Sequence, residues 1–259
     1  MPVSEASEAV RPMGGIPLLA RSDWMEEYPW LVQGVTLRSD SAGQSFDLAL
    51  FGEHSAGPML ARWERLRLAL GAELLIHARQ RHGNGIRLSR AAGTGLHIAA
   101  PCDGHLGRDV GVVLAVSVAD CVPVFILEPE SRTVGLLHAG WRGAAAGILE
   151  RGIEAMYDRF GHEPEALHLH LGPSISGARY EVGPEVFEAL GLPRPSGPGN
   201  LDLREHIRER AERAGCSAER VGSSAVCVAD DPRFFSHRGG DMGRQMALMG
   251  ICADGRGQS

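Results

Sequence analysis

Three polar side chains stand in stretches whose composition favours chemistry. Cys121 lies in Val118-Ala119-Asp120-Cys121-Val122-Pro123-Val124, and His138 opens His138-Ala139-Gly140-Trp141-Arg142-Gly143. His82 sits in the polar, glycine-flanked Arg79-Gln80-Arg81-His82-Gly83. One thiol and two imidazoles are zinc ligands by type, and a trio leaves a tetrahedral ion one position open to water or substrate. Each residue alone has a plainer reading. A free cysteine is most often a small buried hydrophobe, and a lone loop histidine is usually solvated and idle. Asp120 and Pro123 argue against an uninterrupted buried strand around Cys121. His138 follows an apolar run and precedes an indole and a guanidinium bracketed by glycines, surroundings that a purely structural histidine does not need.

Periodicity predicts the elements that position these groups. The apolar run 110–127 is too long for one strand and predicts a turn or bulge near Asp120-Cys121. Residues 133–137 predict the next strand, with His138 at its end, and 144–160 a helix with apolar positions at helical spacing. Elsewhere the pattern predicts a helix over 63–70 ending at Gly71, a strand over 166–171, a loop over 191–200 and a helix over 201–214 with Asp202 near its start. It further predicts a strand over 221–228 and a closing helix over 243–251. Residues 1–22 show no sustained period and read as a loose leader, with 23–259 as a single domain. Strands and helices are interspersed, which predicts the α/β class in an α+β layered form, mixed sheets flanked by helices.

The 259 residues are 44% hydrophobic and 22% charged, enough apolar material for a sizeable core. No run of about 18 apolar residues occurs and no basic-then-apolar start, which predicts neither a membrane partner nor a secretory signal. The net charge of -6 with dispersed basic residues argues against a nucleic-acid partner. Five cysteines without a CxxC spacing argue against a disulfide framework and for a reducing, cytoplasmic setting.

Taken together, the motifs resemble the family variously called YfiH-like, laccase-domain or polyphenol oxidase proteins, also described as purine nucleoside phosphorylases and adenosine deaminases. A Gln-x-His-Gly element is met by Gln80 to Gly83, Ala-Asp-Cys-x-Pro by Ala119 to Pro123, and the six-residue His-Ala-Gly-Trp-Arg-Gly turn by His138 to Gly143. Gly172-Pro173-Ser174-Ile175, Tyr180-Glu181-Val182, Leu201-Asp202-Leu203, Arg233-Phe234-Phe235-Ser236 and Gly243-Arg244-Gln245 follow in the family's order. Departures are concentrated outside the trio. Two asparagines of the family pattern are absent from Asp47 to Gly52 and Ala61 to Arg65. Arg179 replaces a cysteine, and His237 and Gly239 depart from a Phe-Ser-Tyr-Arg-Arg element.

What the resemblance implies is a zinc-dependent purine nucleoside phosphorylase with adenosine deaminase activity, acting on purine nucleoside and phosphate. Its metal would be held by His82, Cys121 and His138, with copper open as an alternative ion. Gln80, Arg142 and Arg244 are the expected substrate contacts, and Arg142 beside Trp141 suits an anion. Asp120 is the expected proton-transfer residue and Arg142 the expected charge-balancing one. Three rivals stay open: a cysteine hydrolase using Cys121 and His138, a copper-type polyphenol oxidase, and a metal-binding module without turnover. The alternating His168 and His170 share a strand face, a metal-compatible spacing whose plainer reading is a half-exposed sheet face. One His-x-His pair is too few for a multicopper relay.

Overall fold

The computed structural model describes residues 7–51 and 56–252. In chain order the strands and helices are β1 (Glu8–Met13), β2 (Ile16–Arg21), α1 (Ser22–Glu27), β3 (Leu31–Thr36), α2 (Ala56–Ala69), β4 (Leu74–Ala78), β5 (Ile86–Leu88), β6 (Gly95–Ala99), β7 (Gly104–Gly107), β8 (Val112–Val118), β9 (Val122–Glu128) and β10 (Thr133–Ala139). Then follow α3 (Trp141–Ala145), α4 (Ile148–Phe160), β11 (His168–Leu171), β12 (Glu181–Val182), α5 (Pro184–Ala189), β13 (Gly199–Asn200), α6 (Leu203–Arg213), β14 (Val221–Ser223) and β15 (Gln245–Ile251).

Two mixed sheets carry the molecule, a seven-stranded one ordered β1-β2-β3-β15-β8-β4-β6 and a six-stranded one ordered β14-β11-β9-β10-β7-β5. Strand alternation explains why both faces of each are covered. On β8, Val112, Leu114, Val116 and Val118 enter the core shared with Phe125 and Leu127 of β9 and Val134 and Leu136 of β10. Val113 and Ala115 point the other way, into a core with Trp63 and Leu66 of α2. On β9, Val124 and Ile126 turn outward to meet Ile153 and Met156 of α4 and Ile207 of α6. The layers therefore run helix, sheet, sheet, helix. No helix among the described residues is long and apolar enough to cross a membrane.

Several expected elements differ in the structure. Residues 8–21 of the expected leader form the β1-β2 hairpin, with Leu18 and Leu19 buried. Gly14 and Gly15 both take positive φ (52° and 80°), the backbone of a two-residue hairpin turn that twists with its strands. Residues 1–6 of that leader lie outside the described residues. The expected closing helix is β15, paired antiparallel with β3 on one side and β8 on the other. Its Gln-Met-Ala-Leu-Met-Gly-Ile run is buried at every position, and an unbroken apolar run has the same signature in a buried strand as in a buried helix. The helix expected over 144–160 is two, α3 and α4, broken at Ala146-Gly147. The strand expected over 221–228 stops at Ser223. The helix expected over 201–214 forms as α6, where the Asp202 carboxylate accepts from the Glu205 N–H at 3.0 Å and caps its first turn.

Candidate metal centre

The chain crosses from one sheet to the other at Ala119-Asp120-Cys121, between β8 and β9. The turn expected there is real, and Asp120 takes a left-handed φ of 83°. β9 and β10 are antiparallel, pairing Pro123 with His138 and Val122 with Ala139. His138 thus lies inside β10, one residue before its end, with Cys121 beside the start of α3. The loop after β4 brings His82 to the same place. The candidate ligand atoms of His82, Cys121 and His138 lie within 4.8 Å of one another, and the two imidazoles meet edge to face at 4.8 Å between centroids.

Close approach accounts for glycine at position 140. A Cβ there would stand 2.9 Å from Cys121 Sγ and 3.2 Å from His82 Cδ2, inside the space the two ligands share. Gly143, one turn on, would likewise press the Gly83 carbonyl at 3.0 Å.

The group that organises the trio is Asp103, which sequence reasoning missed. It lies just before β7 and is 1% exposed. Its carboxylate accepts from the backbone N–H groups of Arg81 (3.0 Å), His82 (2.8 Å) and Gly83 (3.0 Å), gathering the His82 loop around one anion. It also accepts from His138 Nδ1–H at 3.0 Å, which fixes the tautomer and leaves Nε2 for an ion. His82 itself holds φ at 56°, a conformation costly for a residue with a Cβ, and the three loop N–H bonds offset that cost. Burial works against the Asp103 anion, yet the His138 hydrogen bond and the N–H groups of Gly83 and Arg81 hold its carboxyl below the usual range. The only sequence signal was an acid between Cys102 and Gly104, with nothing local to link it to residues 20 and 35 positions away.

Charge within the trio is arranged the same way. Burial works against ionisation of Cys121, but the neighbouring imidazoles of His138 and then His82 pull its thiol down to about 6. Burial also works against protonated His138, which the Cys121 thiolate and Asp103 raise to about 9. Both shifts favour a thiolate beside an imidazolium, and a binding cation displaces a proton from such a pair.

The trio opens onto a cavity of about 630 Å³ lined by every expected site residue. Arg142 lays its guanidinium 4.2 Å over the Trp141 ring, the stacking its sequence position suggested. Gln80 spends its amide on the scaffold: its NH2 donates to the Ser117 carbonyl (2.8 Å), and its oxygen accepts from the Ser117 N–H (2.7 Å) and hydroxyl (2.8 Å). Arg244 donates to the carbonyls of its own loop at Met242 (3.0 Å) and Gly243 (2.7 Å). Asp120 accepts from Ser236 Oγ–H and the Arg238 N–H, both at 2.7 Å, and so ties the 236–238 loop to the cavity. Arg79, Phe51, Tyr180, His237 and Arg238 also line the wall and were not expected there, although Arg79 adjoins the Gln80 element and Tyr180 and His237 stand in matched stretches, because an arginine or aromatic side chain carries no local sign of facing a cavity. His170 stands apart, fully buried and held by Glu8 through Nε2 at 2.9 Å. His168, on the same strand face, is partly exposed as the plainer reading expected, and neither histidine belongs to the metal cluster.

Residues 35–252 match the family model described as multi-copper polyphenol oxidoreductase laccase, and the chain belongs to that family. It is 34% identical over 203 residues to a purine nucleoside phosphorylase of Deinococcus radiodurans, covering 75% of this chain and 78% of that protein. It is 33% identical over 205 residues to the purine nucleoside phosphorylase YlmD of Geobacillus stearothermophilus, covering 74% and 73%. A third match, to a purine nucleoside phosphorylase of Xylella fastidiosa, is 39% identical and spans 52% of that protein. The crystal structure of YlmD from Geobacillus stearothermophilus superposes with a TM-score of 0.81 at 27% identity, covering 96% of this chain and 99% of that one. Bacillus licheniformis YfiH shares the fold, with a TM-score of 0.79 at 24% identity, covering 90% and 96%.

Proposed function

We propose that the chain is a zinc-dependent purine nucleoside phosphorylase that also deaminates adenosine. The single observation that carries this is the convergence of two imidazoles and a thiolate, with Asp103 behind His138 and the His82 loop, in a cavity that Arg79, Arg142, Arg238 and Arg244 also line. The donor set fits zinc: a low-pKa thiolate, one imidazole with its second nitrogen held by a carboxylate, and a fourth direction facing the cavity. Bound there, zinc would supply Lewis acidity and draw the pKa of water towards neutrality. Among the described residues this is the one His/Cys/acid cluster able to hold a metal, whereas a multicopper relay needs several.

Phosphate is a dianion near neutral pH and meets the cavity's arginines. Arg142 and Arg79 have no carboxylate partner among the described residues, so both guanidinium groups can turn to an anion. Phosphate held there is placed to attack the anomeric carbon of the ribose, releasing the base with its bonding electron pair and leaving ribose 1-phosphate. Asp120, already on the wall, is the proposed proton carrier: it would take a proton from water attacking the adenosine C6 carbon and return it to the departing amine. Gln80 enters as a positioning residue rather than a direct contact, through its grip on Ser117. All five cysteines are free, which supports a reducing, cytoplasmic setting.

The test is a nucleoside panel with and without phosphate, products identified, on protein of measured metal content. Base and ribose 1-phosphate from inosine, and inosine with ammonia from adenosine, are the expected products; their absence from metal-loaded protein would refute the proposal. Arg142→Ala is expected to raise the KM for phosphate about tenfold to a hundredfold, as loss of one charge-assisted contact does, while leaving metal content unchanged.

A second reading draws on the Cys121–His138 ion pair, which is also the resting state of a cysteine hydrolase. Alkylation separates the two. Iodoacetamide is expected to modify Cys121 only after chelation, at a rate that rises with pH through about 6, because the thiolate exists above that value and the thiol below it. Rapid modification of zinc-loaded protein, with activity that survives chelators, would favour the hydrolase.

A further inference from the structure

Phe51 is a large apolar residue left 46% exposed, and it lines the cavity that also holds Cys121 and Arg142. Its ring is anchored. It stacks on the His77 imidazole at 5.5 Å between centroids and 28° between planes, and His77 in turn packs against Trp63 at 5.2 Å. His77 and Trp63 are both buried, and His77 Nδ1–H donates to the Ala115 carbonyl at 3.0 Å. Burial pushes the His77 imidazole down to about 4, so at neutral pH it is an uncharged aromatic surface under Phe51. Tyr180 lines the same cavity, and its ring is engaged by the Arg238 guanidinium at 5.4 Å.

We infer that Phe51 is the platform on which the purine base stacks, a specificity residue that rests on the phosphorylase reading above. A fixed ring, backed by two further aromatic rings and open on the cavity, offers a flat heterocycle a large contact at little conformational cost. Stacking is indifferent to the edge of the base, because every purine presents the same kind of π-face. Phe51 therefore favours adenosine, inosine and guanosine together over sugars without an aromatic base, and leaves the choice at the 6-position to the polar wall.

The test compares wild type, Phe51→Leu and Phe51→Trp at saturating phosphate with all three nucleosides. Leucine keeps apolar volume over His77 but removes the aromatic face. Phe51→Leu is expected to raise KM for the three alike by about tenfold to a hundredfold, with kcat, the KM for phosphate and metal content unchanged. Phe51→Trp is expected to keep the wild-type KM and to add an indole emission, over that of wild type with Trp141 in the same cavity, that adenosine quenches saturably and ribose does not. An unchanged nucleoside KM in Phe51→Leu overturns the inference, as does Phe51→Trp fluorescence that adenosine leaves untouched. Wild type inert towards every nucleoside, with Phe51→Trp still quenched by adenosine, would instead sink the phosphorylase reading and leave the platform standing.

Discussion

Alanine at Cys121, His82 or His138 is expected to take bound zinc from about one ion per chain, the stoichiometry of a three-ligand site, to background, and to take nucleoside turnover below detection. The three ligand atoms lie within 4.8 Å of one another, and two protein ligands hold a divalent ion far more weakly than three. The loss has a readout independent of activity. A ligand that binds only the folded state stabilises it by about 4 kcal/mol when present at a thousand times its dissociation constant. Wild type should therefore melt at a higher temperature with zinc than with chelator, and each alanine variant at one temperature under both conditions. Cys121→Ser is the sharper variant, since it replaces one atom and keeps the turn between β8 and β9. If metal-free wild type or any of the three variants turns over nucleosides at the full rate, the metal has no part in the reaction.

Cys121 and His138 were legible from local signals, a thiol between Asp120 and Pro123 and an imidazole followed by Gly140 and Gly143, whose missing Cβ atoms leave room for Cys121 and His82 and for the Gly83 loop, whereas His82 was reached only through the likeness of Gln80 to Gly83 to the family's Gln-x-His-Gly element. The break between β8 and β9 was legible for a similar reason, as one apolar run cannot span two sheets without turning. What escaped was non-local. β15 reads equally as helix or strand until β3 and β8 stand on either side of it, and propensity yields to that pairing. The β1-β2 hairpin hid in a stretch that shows no sustained period, although Gly14-Gly15 between apolar residues is a hairpin turn by composition. Asp103 escaped most completely. Its partners are a loop, reached 20 residues upstream, and a strand end 35 residues downstream, and no periodicity joins them.

Asp103 is for that reason the position where substitution is expected to reach furthest beyond its own contacts. Alanine there removes the one acceptor shared by three backbone N–H groups and the His138 Nδ1–H. Each buried donor left without a partner costs about 1–3 kcal/mol, and His82 loses what offsets its left-handed backbone. Asp103→Ala is thus expected to lower stability by about 3–5 kcal/mol, the range for breaking a buried charged pair. Asp103→Asn tests the charge with the shape retained. Its amide can accept through one oxygen only, and its NH2 must face donors. Zinc affinity is expected to fall about tenfold to a hundredfold, as it does when the partner of a ligating histidine is lost. The pH dependence gives an independent check on metal-free protein. The folded-state carboxyl sits below its unfolded value, so its stabilisation is complete above the unfolded value of about 4 and is lost as pH falls through the lower, folded one. Metal-free wild type should therefore lose stability on acidification below about pH 4 more steeply than Asp103→Asn. Equal acid profiles, with zinc bound as tightly by the asparagine variant, would mean that the His82 loop and His138 are held in place by something other than this carboxylate.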